Sequence, residues 1–202
     1  MRNEIIQLIK DILPEYDNVL CGGHGREHVK DVITKSYNIA IELEQDPEVC
    51  CVAALLHDIG LLTHTREFHH IGSSLYILKH ISILEKYFND EQIYTIFKAV
   101  MEHRSGYKGK YFSLVSKIVA DADRSSNIKT MIIRSYAYNK SKINDKKELQ
   151  NVVYNYLKEK YYDKEYDFVS KQLQDDMNNA KFILSDRKMF NKYYDTIINN
   201  AY

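Results

Sequence analysis

The stretch Val49-Cys50-Cys51-Val52-Ala53-Ala54-Leu55-Leu56-His57-Asp58-Ile59-Gly60 decides how the rest of the chain is read. From Val49 to Leu56 no side chain is charged, and then a histidine and an aspartate stand together ahead of a glycine. An unbroken apolar run of this kind reads as a helix buried on every side. Polar groups at the end of such a helix are rarely buried unless they are paired or bound to metal. The question is what His57 and Asp58 face.

Working outward, Asp46 is placed to cap this helix, with Pro47 at its first position. Gly60 stands where a glycine in the left-handed conformation would end it. Upstream, Ile5, Ile6, Leu8, Ile9, Ile12 and Leu13 form an amphipathic helix ended by Pro14, followed by a loop with Gly22, Gly23 and Gly25. Helical spacing resumes in REHVKDVITKSYNIAIELE (26–44). Downstream, LLTHTREFHH (61–70) reads as a loop leading into a helix from about Ile71 to Ile81, and EQIYTIFKAVMEH (91–103) is the next helix. The glycines of RSGYKGKYF (104–112) mark a loop, and SLVSKIVADADRSSNIKTMII (113–133) reads as one further helix. The segment from Lys146 onward reads as two or three more helices rich in Tyr, Asn and Lys. Strict alternation is almost absent, so the fold class is all-α. The Tyr-rich C-terminal helices could stack a base, although aromatic residues at helical spacing more often build a core.

Composition narrows the function classes. The 202 residues are 45% apolar, enough for a real core, and Lys plus Arg and Asp plus Glu both number 28. That balance argues against a nucleic-acid or anionic-membrane partner, which usually calls for a basic excess. Cys21, Cys50 and Cys51 lack the spacing of a disulfide framework or a zinc ribbon and read as buried thiols, pointing to a reducing, cytoplasmic compartment. The N-terminus carries acids within its apolar pattern and reads as a helix rather than a signal peptide, and no segment is long enough to span a bilayer.

All 8 histidines lie between His24 and His103, so the chemistry is expected in the N-terminal part. His24, His28, His57, His69, His70 and His103 recur at helix ends, where side chains from several helices can converge, as in the metal sites of helical bundles. Asp121 and Asp123 add carboxylates from a later helix. Imidazole with carboxylate suits Fe, Mn, Zn, Co or Ni, with Mg also open, and the ligand types do not choose among them. By residue type alone, His69 and His70 are equal candidates, and so are Asp121 and Asp123.

Taken in order, HGREHVKDV (24–32), AALLHDIG (53–60), HHIGSS (69–74), MEHR (101–104) and VADADR (119–124) resemble the HD-domain superfamily of metal-dependent phosphohydrolases. The resemblance implies a compact helical bundle over residues 1–202, with a metal-binding core at about 20–130 and a C-terminal helical extension at about 131–202. It implies His28, His57, Asp58 and Asp123 as ligands of the defining site, with Asp58 the bridging carboxylate if two metals bind. A second metal would be held by His69, favoured over His70 by its spacing to Ser73 and Ser74, and by His103. The last carboxylate is Asp123 by the alignment of ADR, with Asp121 the runner-up.

The resemblance further implies hydrolysis of a phosphate ester or anhydride of a small phosphorylated metabolite, a nucleotide among them, by a metal-activated water. Asp58, His24, Arg66 and Arg104 are the candidate catalytic residues. His24 serves as an outer partner or proton donor, or else as a helix cap. Arg66 and Arg104, with Lys108 and Lys110, are cations in loops that could meet the phosphoryl oxygens. His64 and His80 have no place in the pattern.

Two departures matter. After the His-Asp pair, Ile59-Gly60-Leu61-Leu62 supplies neither the acid of single-metal subfamilies nor the lysine of the cyclic-dinucleotide branch, which points to two metals rather than one. The alternatives are a non-catalytic nucleotide-sensing or regulatory HD module, or a guanosine-polyphosphate hydrolase, suggested by Asn127. A homodimer is left open.

Overall fold

The computed structural model describes residues 1–19 and 23–201; Leu20, Cys21 and Gly22, on which part of the loop and thiol readings fall, lie outside the described residues, as does Tyr202. Among the described residues the structure is helical throughout, with no strand. The chain divides into two compact units, Met1–Arg124 and Ser125–Tyr202.

The first unit contains α1 (Asn3–Ile12), α2 (Arg26–Glu42), α3 (Pro47–Leu56), α4 (His69–Lys79), the short α5 (Ile81–Leu84), α6 (Asp90–Glu102) and α7 (Leu114–Asp123). α1 leads into a 3-10 segment, Leu13–Asn18, so the chain tightens at Pro14 rather than leaving the helix at once. α3 is the axis of the unit: every residue from Val49 to Leu56 is buried, and the helix packs against α1, α2, α6 and α7. Its start follows from the sequence, since the Asp46 carboxylate accepts the N–H groups of Glu48 and Val49 at 2.9 and 3.2 Å and Pro47 stands at the first position. Cys50 and Cys51 are buried free thiols, and burial pushes both up to about 12.

The end of α3 departs from expectation. Gly60 does not adopt the left-handed conformation; Gly23 is the described glycine with a positive φ. The chain passes instead through His57 and Asp58 into a 3-10 turn, Ile59–Leu62. Gly60 is needed for close approach: a Cβ there would lie 2.1 Å from the His69 carbonyl oxygen and 2.4 Å from the Ser73 nitrogen. α4 also starts earlier than the apolar spacing suggests, at His69, and ends at Lys79, where Nδ1–H of His80 turns back to the Tyr76 carbonyl at 2.9 Å.

The stretch read as one helix over 113–133 is two. α7 ends at Asp123, Arg124 is extended, and α8 (Ile128–Asn139) begins under Asn127, whose side chain accepts the N–H groups of Lys129 and Thr130. Ser125, Ser126 and Asn127 can all hydrogen-bond the backbone locally, which favours a cap over a continuous helix.

The second unit holds α8, α9 (Lys146–Leu157), a π-helical turn (Lys158–Tyr162), α10 (Lys171–Ser185) and α11 (Arg187–Ala201). Part of its aromatic content forms its core. Tyr154, Phe190 and Tyr194 are buried, with the Tyr154 and Phe190 rings 5.0 Å apart.

Candidate metal centre

The polar end of α3 faces histidines from the ends of three other helices, α2, α4 and α6. Imidazoles of His24, His28, His57, His103 and His69 form an unbroken chain, with successive ring centroids 5.2, 5.4, 5.1 and 5.0 Å apart. His28, His57, His69, His103 and Asp58 are all buried. So many titratable groups gathered out of water are costly unless they share a charge partner.

Asp58 is the hub, and its two oxygens face different neighbours. Oδ2 lies 2.7 Å from Nδ1 of His24, 3.2 Å from Nε2 of His57 and 3.7 Å from Nε2 of His28. Oδ1 lies 3.1 Å from Nε2 of His69 and 3.6 Å from Nε2 of His103. Asp123, at the end of α7, approaches the first group, 3.0 Å from Nε2 of His28 and 3.7 Å from that of His57. Among the described residues, three sets have donor atoms within 4.8 Å of one another: His24, His28 and Asp58; His28, His57 and Asp123; Asp58, His69 and His103.

Three of the rings are oriented in the same way. Nδ1–H of His57 donates to the Ala54 carbonyl at 2.7 Å, that of His69 to Arg66 at 2.6 Å, and that of His103 to Val100 at 2.6 Å. A carbonyl can only accept, so each Nδ1 carries a proton and each ring turns its Nε2 toward the cluster. The Nε2 atoms of His69 and His103 then face each other at 2.9 Å. Both also lie close to the Asp58 Oδ1, a grouping that a cation between the two rings and the carboxylate would satisfy. Nε2 of His57 is fully buried and makes no hydrogen bond. These buried donors, all nitrogen or carboxylate oxygen, fit a borderline divalent metal.

The charges follow the geometry. Burial would lower the pKa of His57, but the carboxylates of Asp58 and Asp123 outweigh it and raise the ring to about 9. Burial would raise Asp58, yet His57, with the neighbouring His103 and His24 imidazoles, holds it well below the usual carboxylate range. Asp123 is likewise held low by His28 and His57 against its burial. Burial lowers His28 despite the nearby Asp123.

The residues of the two open choices lie in different surroundings. Asp121 is fully buried and points away, accepting Lys117 at 2.6 Å and Arg124 at 2.8 Å. His70 lies outside the three donor sets; burial, with the charge of Arg104 second, lowers it to about 4. His24 is not a cap: Gly25 is the N-cap of α2, and His24 bonds Asp58 from outside the helix. Arg66 is exposed and contributes its carbonyl to His69, while Arg104 is half-buried beside His103 in sequence. Lys108 and Lys110 are exposed. His64 and His80 stand apart, hydrogen-bonded to Thr63 and the Tyr76 carbonyl.

Two further residues brace the site. Glu102, buried beside His103, takes the Phe112 N–H at 2.8 Å and closes the loop that follows. Tyr16, which no motif marks, places its hydroxyl on the Leu55 carbonyl at 2.5 Å.

A helical bundle that gathers imidazoles and carboxylates from helix ends around one buried aspartate has the architecture of a helical metal-centre protein. The chain belongs to the HD domain family, whose sequence model matches residues 25–128. That superfamily is generally one of metal-dependent phosphohydrolases. No curated protein and no solved structure matches the chain.

Proposed function

We propose that this protein hydrolyses a phosphate ester or anhydride of a small phosphorylated metabolite, a nucleotide being the first class to test. The observation that carries the reading is the division of labour at Asp58, whose Oδ2 faces His24, His28 and His57 while Oδ1 faces His69 and His103. In this reading His28, His57, Asp58 and Asp123 hold one divalent ion, and Asp58, His69 and His103 hold a second. Bound there, divalent metal supplies Lewis acidity for a phosphoryl oxygen and makes a water acidic enough to act near neutral pH.

The protein's own groups do the rest. Asp58 fixes the spacing between the two donor groups and neutralises charge in a site from which most water is excluded. His24, 2.7 Å from Asp58 and partly exposed, orients that carboxylate and offers a proton route to solvent. Arg66 and Arg104 are the cations assigned to the phosphoryl oxygens. No acid or lysine follows the His-Asp pair, so Ile59–Leu62 adds no proton-transfer group of its own.

The test is metal analysis of protein purified without added metal, joined to a hydrolysis screen over nucleotides and generic phosphoesters, with Asp58→Ala alongside. About two metal equivalents and turnover abolished in Asp58→Ala support the reading. A metal-loaded protein that turns over no phosphoester in the panel leaves a regulatory metal module instead.

A further inference from the structure

The backbone that carries His57 and Asp58 is held from both sides by buried hydroxyls that come from elsewhere in the chain. Tyr16, in the 3-10 segment before α2, is 1% exposed and donates its O–H to the Leu55 carbonyl at 2.5 Å. This carbonyl lies in the last turn of α3, where helix geometry leaves acceptors without intrahelical partners. Ser73, inside α4, is fully buried; its hydroxyl donates to the His57 carbonyl at 2.8 Å and accepts the Gly60 N–H at 2.8 Å. The two hydroxyls therefore engage residues 55, 57 and 60, bracketing Asp58.

Gly60 makes the second contact feasible. Only a residue without Cβ lets the turn approach α4 closely enough for Ser73 to reach both sides of it. The same approach brings His69, at the start of α4, to 3.1 Å from Asp58 Oδ1.

We infer that Tyr16 and Ser73 are positioning residues for the candidate metal centre: their hydroxyls fix the backbone on either side of Asp58, so that each of its oxygens meets its own set of histidines. The inference rests on the metal-dependent reading above. It differs from ordinary core packing in what it predicts for ligand geometry, because an isosteric loss of either hydroxyl leaves the apolar contacts in place and loosens the hub.

The test uses the full chain loaded with Co(II), comparing wild type with Tyr16→Phe, Ser73→Ala and the double variant. Ser116→Ala, which removes another buried hydroxyl remote from the His-Asp pair in sequence, serves as the control. Affinity is read by titration, ligand geometry by the visible absorption of bound Co(II), and folding by circular dichroism and thermal melting. Each site variant is expected to bind Co(II) about tenfold or more weakly, the range typical of groups that orient metal ligands. Their Co(II) bands are expected to shift, while Ser116→Ala keeps both affinity and spectrum.

Should one variant fail to fold, the other gives the same reading. Variants that melt earlier but bind Co(II) with wild-type affinity and spectrum would overturn the positioning role and leave the metal reading standing. A wild-type protein that takes up no Co(II) would overturn both.

Discussion

Nε2 of His69 lies 2.9 Å from Nε2 of His103, each ring having committed its Nδ1–H to a backbone carbonyl. The pair shares Asp58 Oδ1, so it forms a half-site separable from His28, His57 and Asp123. His69→Ala or His103→Ala is therefore expected to cost about one metal equivalent and Asp58→Ala both, as counted by elemental analysis. Equal losses in all three variants would show that the two halves do not bind independently.

Asp121 and Asp123 are expected to fail in opposite ways. Asp123→Asn should release metal. Asp121→Asn should keep metal but weaken the ion pairs of this buried carboxylate with Lys117 and Arg124, at a cost of roughly 3 kcal/mol. Denaturant unfolding beside metal analysis separates the two. If Asp121→Asn empties the site while stability holds, the assignment is reversed.

Metal uptake should release protons. In the metal-free protein His57 titrates near 9, so at neutral pH its proton must leave as metal binds. Affinity is then expected to rise with pH up to that value, and calorimetry in buffers of different ionisation enthalpy should register the release. Folding stability runs the other way for this group. Its pKa is raised above the unfolded value of about 6.5, so its contribution is complete below that pH and is lost as pH rises through about 9. A metal affinity independent of pH between 6 and 9 would mean that His57 does not hold the displaced proton.

Gly60→Ala should be more damaging than its size suggests. The added methyl meets backbone atoms of His69 and Ser73, which cannot swing aside as a side chain could. A loss on the order of 3 kcal/mol is expected, lowering Tm by roughly 5–10 °C. An unchanged melting curve would show that the turn and α4 can separate freely.

Cys50 and Cys51 should not react with thiol reagents in the folded protein, since burial raises both to about 12. Peptide mapping after alkylation, native against denatured, checks each position. Rapid native labelling at either would show that α3 opens easily.

The parts of this organisation that were legible in the sequence are those set by short-range chemistry. Asp46-Pro47 marks a helix start because capping is local, and the order of His28, His57-Asp58, His103 and Asp123 carries the family resemblance. The remainder depends on contacts far apart in the chain. Gly60 looks like a helix terminator until α4 is seen pressing on it. Asp121 and Asp123 are two residues apart on a helix, hence roughly 200° around its axis, and spacing alone cannot say which faces inward. Tyr16 is one tyrosine among 17, and only its placement on Leu55 distinguishes it.

The three carbonyls that orient His57, His69 and His103 each lie three residues earlier, at Ala54, Arg66 and Val100. What these positions give to the rings is main chain alone. For this purpose a substitution at 54, 66 or 100 is silent so long as the helix end keeps its path. Bending that path without changing any of these side chains would rotate an imidazole out of place. The donors are thus tuned by the shape of helix ends, and variants that tilt the site are to be sought in turns and caps rather than among the neighbours of the rings.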